Sequence, residues 1–289
     1  MGIYDTINRL EALRKKIQAQ FIMIFVPFFL WLSMALLSSV VGVGILPFAQ
    51  LCMIAFFIFA ISYTKKTQNV KNEFKQLYKQ TFVVQALSQN FQNVNYMWES
   101  GFAQEAVRMF NLVQLGNRFH TEDYLSADYN GIHFEQADVT VQYHTSGKNS
   151  HTTTYFKGRM FAFDFPYKNV SSVRCISNTF MYKANSNNKK VKLESSMFNR
   201  IFKTDAFYEH DAFYFLTPQM MERIEALNAR YGNIAVHLMG NKLFVGINMH
   251  SDAFDHDYRE KVEYQYEIGK INRDMQVIVD IINTLSLYA

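Results

Sequence analysis

Charge is scarce in this sequence of 289 residues: Asp, Glu, Lys and Arg make up 19% of it, against about 25% in an ordinary globular chain. Cysteine is scarcer still, at two residues, which excludes a disulfide-built scaffold and any Cys-rich zinc module. Internal repeats and low-complexity tracts are absent, and with 49% hydrophobic residues the chain is too apolar to be disordered. A formal net charge of +4 is too small to argue for a nucleic-acid partner. The recurrent catalytic motifs are also missing. The sequence has no G-x-x-x-x-G-K-[ST] phosphate loop, no G-x-G-x-x-G turn, no H-E-x-x-H pair and no G-x-S-x-G elbow.

What is present begins with where the missing charge is concentrated. From Phe21 to Tyr63, 43 residues carry no Asp, Glu, Lys or Arg. Phe21 to Val41 is 21 residues, long enough to rise about 31 Å as a helix, and Ile45 to Tyr63 is 19 residues, about 28 Å. Both match a hydrocarbon core of about 30 Å. With only Gly42, Val43 and Gly44 between them, they read as a transmembrane helical hairpin. A cleaved signal peptide has a shorter apolar core of about 7 to 15 residues, and a buried hairpin of a soluble protein would seldom run so long without charge. Pro47 suits a first helical turn, Pro27 predicts a kink, and Gln50 reads as a hydrogen-bonding side chain between helices rather than a transport group.

Basic residues flank the hairpin on both sides: Arg9, Arg14, Lys15 and Lys16 before it, then Lys65, Lys66, Lys71, Lys75 and Lys79 after it. The positive-inside rule therefore places both termini in the cytoplasm. In a bacterium this is a multi-pass protein of the inner (plasma) membrane. The organisation expected is a cytoplasmic segment 1–20, a two-helix transmembrane hairpin 21–63 and a cytoplasmic domain 64–289. Lys65, Lys66, Lys71, Lys75 and Lys79 are candidates for contact with anionic lipid, at about 1 kcal/mol for each lysine near the surface. The plainer reading of these lysines is a solvated helix face that also sets topology.

Residues 64–289 hold 25 Lys+Arg and 23 Asp+Glu, a nearly neutral domain. Val70, Phe74, Leu77, Val84, Leu87, Phe91 and Val94 recur at helical spacing, and a shorter helix is predicted over Phe102 to Leu112. The period then becomes two. Val139, Val141 and Tyr143 mark one strand, His151 to Phe156 its partner, and Phe161, Phe163 and Phe165 the next. Strands are also expected around Val191 to Glu194 and over Ala212 to Leu216. Thr217-Pro218 starts a helix carrying Met220, Met221, Ile224 and Leu227. Ile234 to Met239 and Lys242 to Asn248 form a hairpin about Gly240-Asn241, and a last helix carries Ile271, Met275, Ile278, Ile282 and Leu285. The fold class is α+β, a mainly antiparallel sheet flanked by helices.

Few residues suggest chemistry. His250, Asp252 and His256 could ligate zinc or manganese, though their spacing matches no established site and such loops are usually only solvated. His120, Glu122 and Asp123 form a weaker group, and His144 and His151 could face each other across a hairpin. Cys175 reads as a packed strand cysteine and Cys52 lies in the second span, so no thiol chemistry is expected. The strand Met160 to Phe165 interleaves Phe with Ala and Asp rather than with Lys or Arg, which favours core packing over base stacking.

Several stretches together resemble a known bacterial family. They are Thr121-Glu122-Asp123-Tyr124, then Phe156-Lys157-Gly158-Arg159-Met160-Phe161, then Leu193-Glu194-Ser195 with Phe198 and Phe202. Ala212 to Pro218, leading into Met221-Glu222, completes the set. In this order, behind two spans, the chain resembles the family known as domain of unknown function 3137, over roughly residues 70 to 250. The resemblance implies a bacterial membrane-anchored protein and supplies no catalytic residues. The function expected is a non-enzymatic module that binds a protein partner or a ligand at the lipid bilayer, with no cofactor and no nucleic acid. The alternative is a membrane-bound hydrolase using His250, Asp252 and His256.

Overall fold

The computed structural model describes residues 2–41 and 64–287. Helix α1 runs Ile3–Val41, and most of its side chains beyond Gln20 lie outside what is described. The expected second span, the turn before it, Pro47, Gln50 and Cys52 lie outside the described residues altogether. Among the described residues no helix is long and apolar enough to cross a membrane. The expected hairpin therefore gains no support from them.

The chain divides into two compact units, one comprising Met1–Gln85 with His256–Gly269 and the other Ala86–Asp255 with Lys270–Ala289. In the first, α1 is followed by a helix over 64–78 (α2) and a π-helical turn, Lys79–Val83. Glu11 pairs with Arg14 and accepts the Val262 amide at 3.3 Å, while Gln18 donates to the Tyr258 carbonyl at 2.8 Å. Phe74 packs against Tyr78, His256 and Tyr258. The buried Glu267 carboxylate accepts from the Tyr78 hydroxyl at 2.7 Å and lies 2.8 Å from His256 Nδ1. Lys79 is itself buried, which removes it from the lysines able to face a lipid surface.

The π-turn leads into α3, Val84–Asn90. Here helical spacing misleads, because Val94 lies in strand β1, Gln92–Met97. The Asn90 side chain donates to the Ala86 carbonyl and Asn93 takes a positive φ, so polar residues end the helix and the apolar spacing does not continue it.

The second unit is built on a nine-stranded sheet of order β1-β2-β3-β4-β9-β8-β5-β7-β6, with every described pairing antiparallel. Its remaining strands are β2 Arg118–Tyr129, β3 Ile132–Thr145, β4 His151–Asp164, β5 Val170–Ser177, β6 Lys189–Val191, β7 Phe202–Ala206, β8 Ile234–Gly240 and β9 Lys242–Ile247. The two strands expected over His151 to Phe156 and Phe161 to Phe165 are one continuous strand, β4. Gly158 keeps it so, because a Cβ there would lie 2.1 Å from the Ile247 carbonyl oxygen. His151 pairs with Thr145 and His144 with Thr152. That offset of one residue puts the two imidazoles on opposite faces of the sheet.

On one face, α4 (Gln104–Phe110) and the segment after it bury Val107, Phe110, Leu112 and Val113 against Val139, Val141, Phe156 and Phe244. Helices α5 (Ser196–Ile201), α6 (Glu209–Phe215), α7 (Pro218–Tyr231) and α8 (Tyr264–Leu285) complete the fold. Ala212 to Leu216, expected as a strand, forms most of α6. Ala212, Phe215 and Leu216 are buried while Phe213 and Tyr214 are exposed, so burial follows the i, i+3, i+4 period. The Thr217 hydroxyl caps α7 by accepting from the Met220 amide, as expected from sequence, and Ile271, Met275, Ile278, Ile282 and Leu285 of α8 are all buried.

Candidate functional site: a basic cleft at the β5–β7–β6 edge

The last three strands of the sheet bring together residues that the sequence separates. Arg174 stands opposite Asp205, Ile176 opposite Lys203, and Lys190 of the edge strand opposite Asp205. Because side chains alternate along a strand, these residues share one face. The segment between β5 and β6 passes over them. It is tied to the chain after α4 by hydrogen bonds from Gln114 N to Tyr182 O at 2.8 Å and from Ala184 N to Leu112 O at 3.1 Å.

The cleft so enclosed has a volume of about 510 Å³, within the range of about 300–1,000 Å³ typical of small-molecule sites. Arg174, Lys183, Lys190, Lys192 and Lys203 line it, against a single carboxylate, Asp205. Ile176 shares the face of the lysines, whereas Val191, Phe202 and Thr204, which also border the cleft, alternate onto the opposite face of the sheet.

The floor is fixed by buried hydrogen bonds. Arg174 grips Asp205 with two parallel bonds, at 3.0 and 2.7 Å, and donates to the carbonyls of Asn111 and Ala184 at 2.6 and 3.3 Å. Four hydrogen bonds thereby tie the guanidinium to the protein. Asp205 also accepts from Ser186 and Asn188, each at 3.1 Å. Asn188 donates to Ser172 Oγ at 2.9 Å, and Ser172 lies 2.9 Å from His237 Nε2. His237 Nδ1 faces the Phe110 carbonyl at 2.9 Å. A carbonyl only accepts, so Nδ1 carries the hydrogen and Nε2 accepts from Ser172. Burial pushes His237 down to about 4, which leaves it neutral and a weak base near pH 7. The Ser172–His237 pair therefore works as a support that holds Asn188 at the cleft wall.

The lysines are different. None of Lys183, Lys190, Lys192 and Lys203 forms an ion pair among the described residues. Burial, then the adjacent Lys203 and Arg174 cations, lower the proton affinity of Lys183. Positive charge here is held in excess of what the protein itself neutralises.

A second polar cluster is mostly buried. Arg159 is fully buried, donates to Gln136 Oε1 at 2.9 Å and to the Asp274 carbonyl at 2.5 Å, and lies over the rings of Phe161 and Phe254. Asp138 beside it accepts from the Ala253 amide, and burial pushes its carboxyl up to about 8. The Tyr96 hydroxyl donates to Asp123. Asp123, Gln136, Asp138 and Arg159 are buried, and Tyr96 is half-buried at the edge of the cluster.

The residues singled out in the sequence lie elsewhere. Lys65 and Lys66 are exposed, and Lys71 and Lys75 are half-buried. Asp252 forms an ion pair with Lys157 at 2.9 Å, His256 lies against Glu267, and His250 takes a positive φ in the loop after β9. Among the described residues no group of three His, Cys, Asp or Glu is placed to hold a metal ion, so His250, Asp252 and His256 are not brought together as the ligand set considered for zinc or manganese. His120 and Glu122 are 3.6 Å apart. Cys175 is buried in β5, and burial raises its thiol far above the ordinary range. Sequence reasoning misses the cleft because its lysines are spread over 21 positions and several elements. The signal on offer is Lys189-Lys190-Val191-Lys192, a basic run around a predicted strand.

Residues 154–287 match the family model described as "Protein of unknown function (DUF3137)". This confirms the resemblance over that stretch and places every residue lining the cleft within the matched domain. The Thr121–Tyr124 stretch lies before it. No curated protein matches the chain. Among solved structures, the crystal structure of the mycobacterial trehalose monomycolate transport factor A, TtfA, aligns over 69% of this chain and 91% of that one, at 10% identity and a TM-score of 0.37.

Proposed function

We propose that residues 64–289 form a binding module for a small anionic ligand, held at the cytoplasmic face of a bacterial inner membrane by a hairpin over residues 21–63. The observation that carries the ligand reading is the cleft, with five cations against one carboxylate, and that carboxylate already bound by Arg174. A set of unpaired ammonium groups on a rigid, hydrogen-bonded floor recognises charge without needing a catalytic group. The membrane reading rests on the 43 uncharged residues and their basic flanks. A protein partner, if the module has one, would approach a domain already held at the bilayer.

Calorimetric titration of the detergent-solubilised full chain with citrate, sulfate and pyrophosphate tests the ligand reading. At least one of these anions is expected to bind with a Kd below about 1 mM, and Lys203→Glu is expected to abolish that binding. Heat changes that persist unaltered in Lys203→Glu, or that are absent for all three anions, refute it.

A further inference from the structure

Most large apolar side chains of the second unit are buried, and five that are not fall together around α6. Tyr167, Phe207, Tyr208, Phe213 and Tyr214 are each 45–55% exposed. Helix α6 turns Ala212 and Phe215 inward, so His210, Phe213 and Tyr214, at i, i+3 and i+4, share its outward face. Phe207 meets Tyr208 edge to face at 4.7 Å between ring centroids, and Tyr208 stacks on His210 at 5.5 Å. From the loop between β4 and β5, Lys168 Nζ reaches to 3.9 Å from the Tyr214 ring centroid and donates to the Tyr214 carbonyl at 3.1 Å. Tyr167 beside it extends the patch. Aromatic side chains bury about 150–250 Å² each, so five at half exposure offer on the order of 500 Å², the upper end for the largest apolar patch of a monomer.

The make-up of the patch narrows what covers it. Val170 and Leu216, the branched aliphatic residues next to these rings in sequence, are buried, and three of the five rings carry a hydroxyl at the tip. A side chain that is apolar along its body and polar at its end suits the boundary between acyl chains and headgroups, where tyrosine is enriched. The Lys168 ammonium within the patch complements a lipid phosphate. Of the neighbouring acids, Asp211 is buried and accepts from the Ser171 amide at 2.9 Å, which leaves the exposed Glu209 at the rim.

We propose that Tyr167, Phe207, Tyr208, Phe213 and Tyr214 dock the domain onto the interfacial layer of the bilayer, with Lys168 set against lipid phosphate. The inference rests on the anchor proposed above for proximity alone. A domain on a short tether meets its surface at roughly millimolar effective concentration, so a patch too small to recruit a free protein suffices to seat a held one.

The test uses the full chain reconstituted in phosphatidylcholine and phosphatidylglycerol with brominated acyl chains, which quench tryptophan at short range. The native tryptophans are Trp31, within the uncharged run, and Trp98. In a Trp31→Phe background, Phe213→Trp and, separately, Tyr208→Trp place a reporter in the patch, each variant melting at the parent temperature. After subtraction of the Trp31→Phe parent, each reporter is expected to be at least twofold dimmer in brominated than in unbrominated lipid, and Lys168→Glu should remove at least half of that quenching. Reporters equally bright in both lipids overturn the inference; a dimer in detergent that Phe213→Glu dissociates would then assign the patch to a second copy. The difference between the native chain and the Trp31→Phe parent reads the anchor by itself. Quenched Trp31 with unquenched reporters refutes the docking and leaves the anchor, whereas unquenched Trp31 refutes the anchor whatever the reporters show.

Discussion

Asp138 is the residue whose titration stability should report. Burial raises its carboxyl to about 8, with Arg159 opposing the shift and Asp123 reinforcing it, whereas in an unfolded chain it titrates near 4. The native state therefore keeps a proton that the unfolded state releases. The associated stability is complete below about pH 4 and is lost as pH rises through about 8. His237 works in the opposite sense. Burial lowers it to about 4, so its contribution is present above about pH 6.5 and lost as pH falls. Between about pH 6.5 and 8 only the Asp138 effect remains, and denaturant-unfolding stability should decline across that window. Asp138→Asn should flatten the decline; an unchanged slope in the variant would contradict the assignment. Two further substitutions probe packing. Gly158→Ala places a methyl 2.1 Å from the Ile247 carbonyl oxygen and 2.7 Å from the Met249 amide nitrogen, so backbone must move, at a cost of about 1–3 kcal/mol read from the denaturation midpoint. Arg174→Met strands the Asp205 carboxylate and should cost about 3–5 kcal/mol by the same measurement.

At the scale of elements, local signals are legible where one residue type decides the backbone. Thr217-Pro218 announces α7, and the Thr217 hydroxyl does accept from Met220; Thr217→Ala should lose about 1 kcal/mol, measurable as a lower midpoint. Gly240-Asn241 announces the β8–β9 hairpin. Asn130-Gly131, with both residues at positive φ, joins β2 to β3 through a comparable two-residue turn. Illegible elements are those decided by contacts distant in sequence. Ala212–Leu216 is apolar enough for a strand, and only the exposure of Phe213 and Tyr214 beside buried Phe215 makes it helical. The cleft is of the same kind. Its charge excess emerges only when β5, β7 and β6 align, and nothing in the spacing of Lys183 and Lys203 foretells that they line one cleft. His250, Asp252 and His256 show the converse, since nearness in sequence does not make them one metal site.

For the whole molecule, the proposed function joins a membrane address to a charged site. If the hairpin is inserted, the full chain stays with membranes through an alkaline carbonate wash, and deletion of residues 21–63 releases it; a wild-type chain recovered in the wash would contradict the anchor. The central claim, that the cleft is an anion site, is tested most directly by lysine acylation of the full chain, read by mass spectrometry with and without pyrophosphate. Lys183, whose proton affinity is lowered by burial and by Lys203, should be acylated faster than the exposed Lys65 and Lys148, and pyrophosphate should protect Lys183 and Lys203 while leaving those two unchanged. Equal acylation of Lys183 and Lys203 with and without pyrophosphate would contradict that claim.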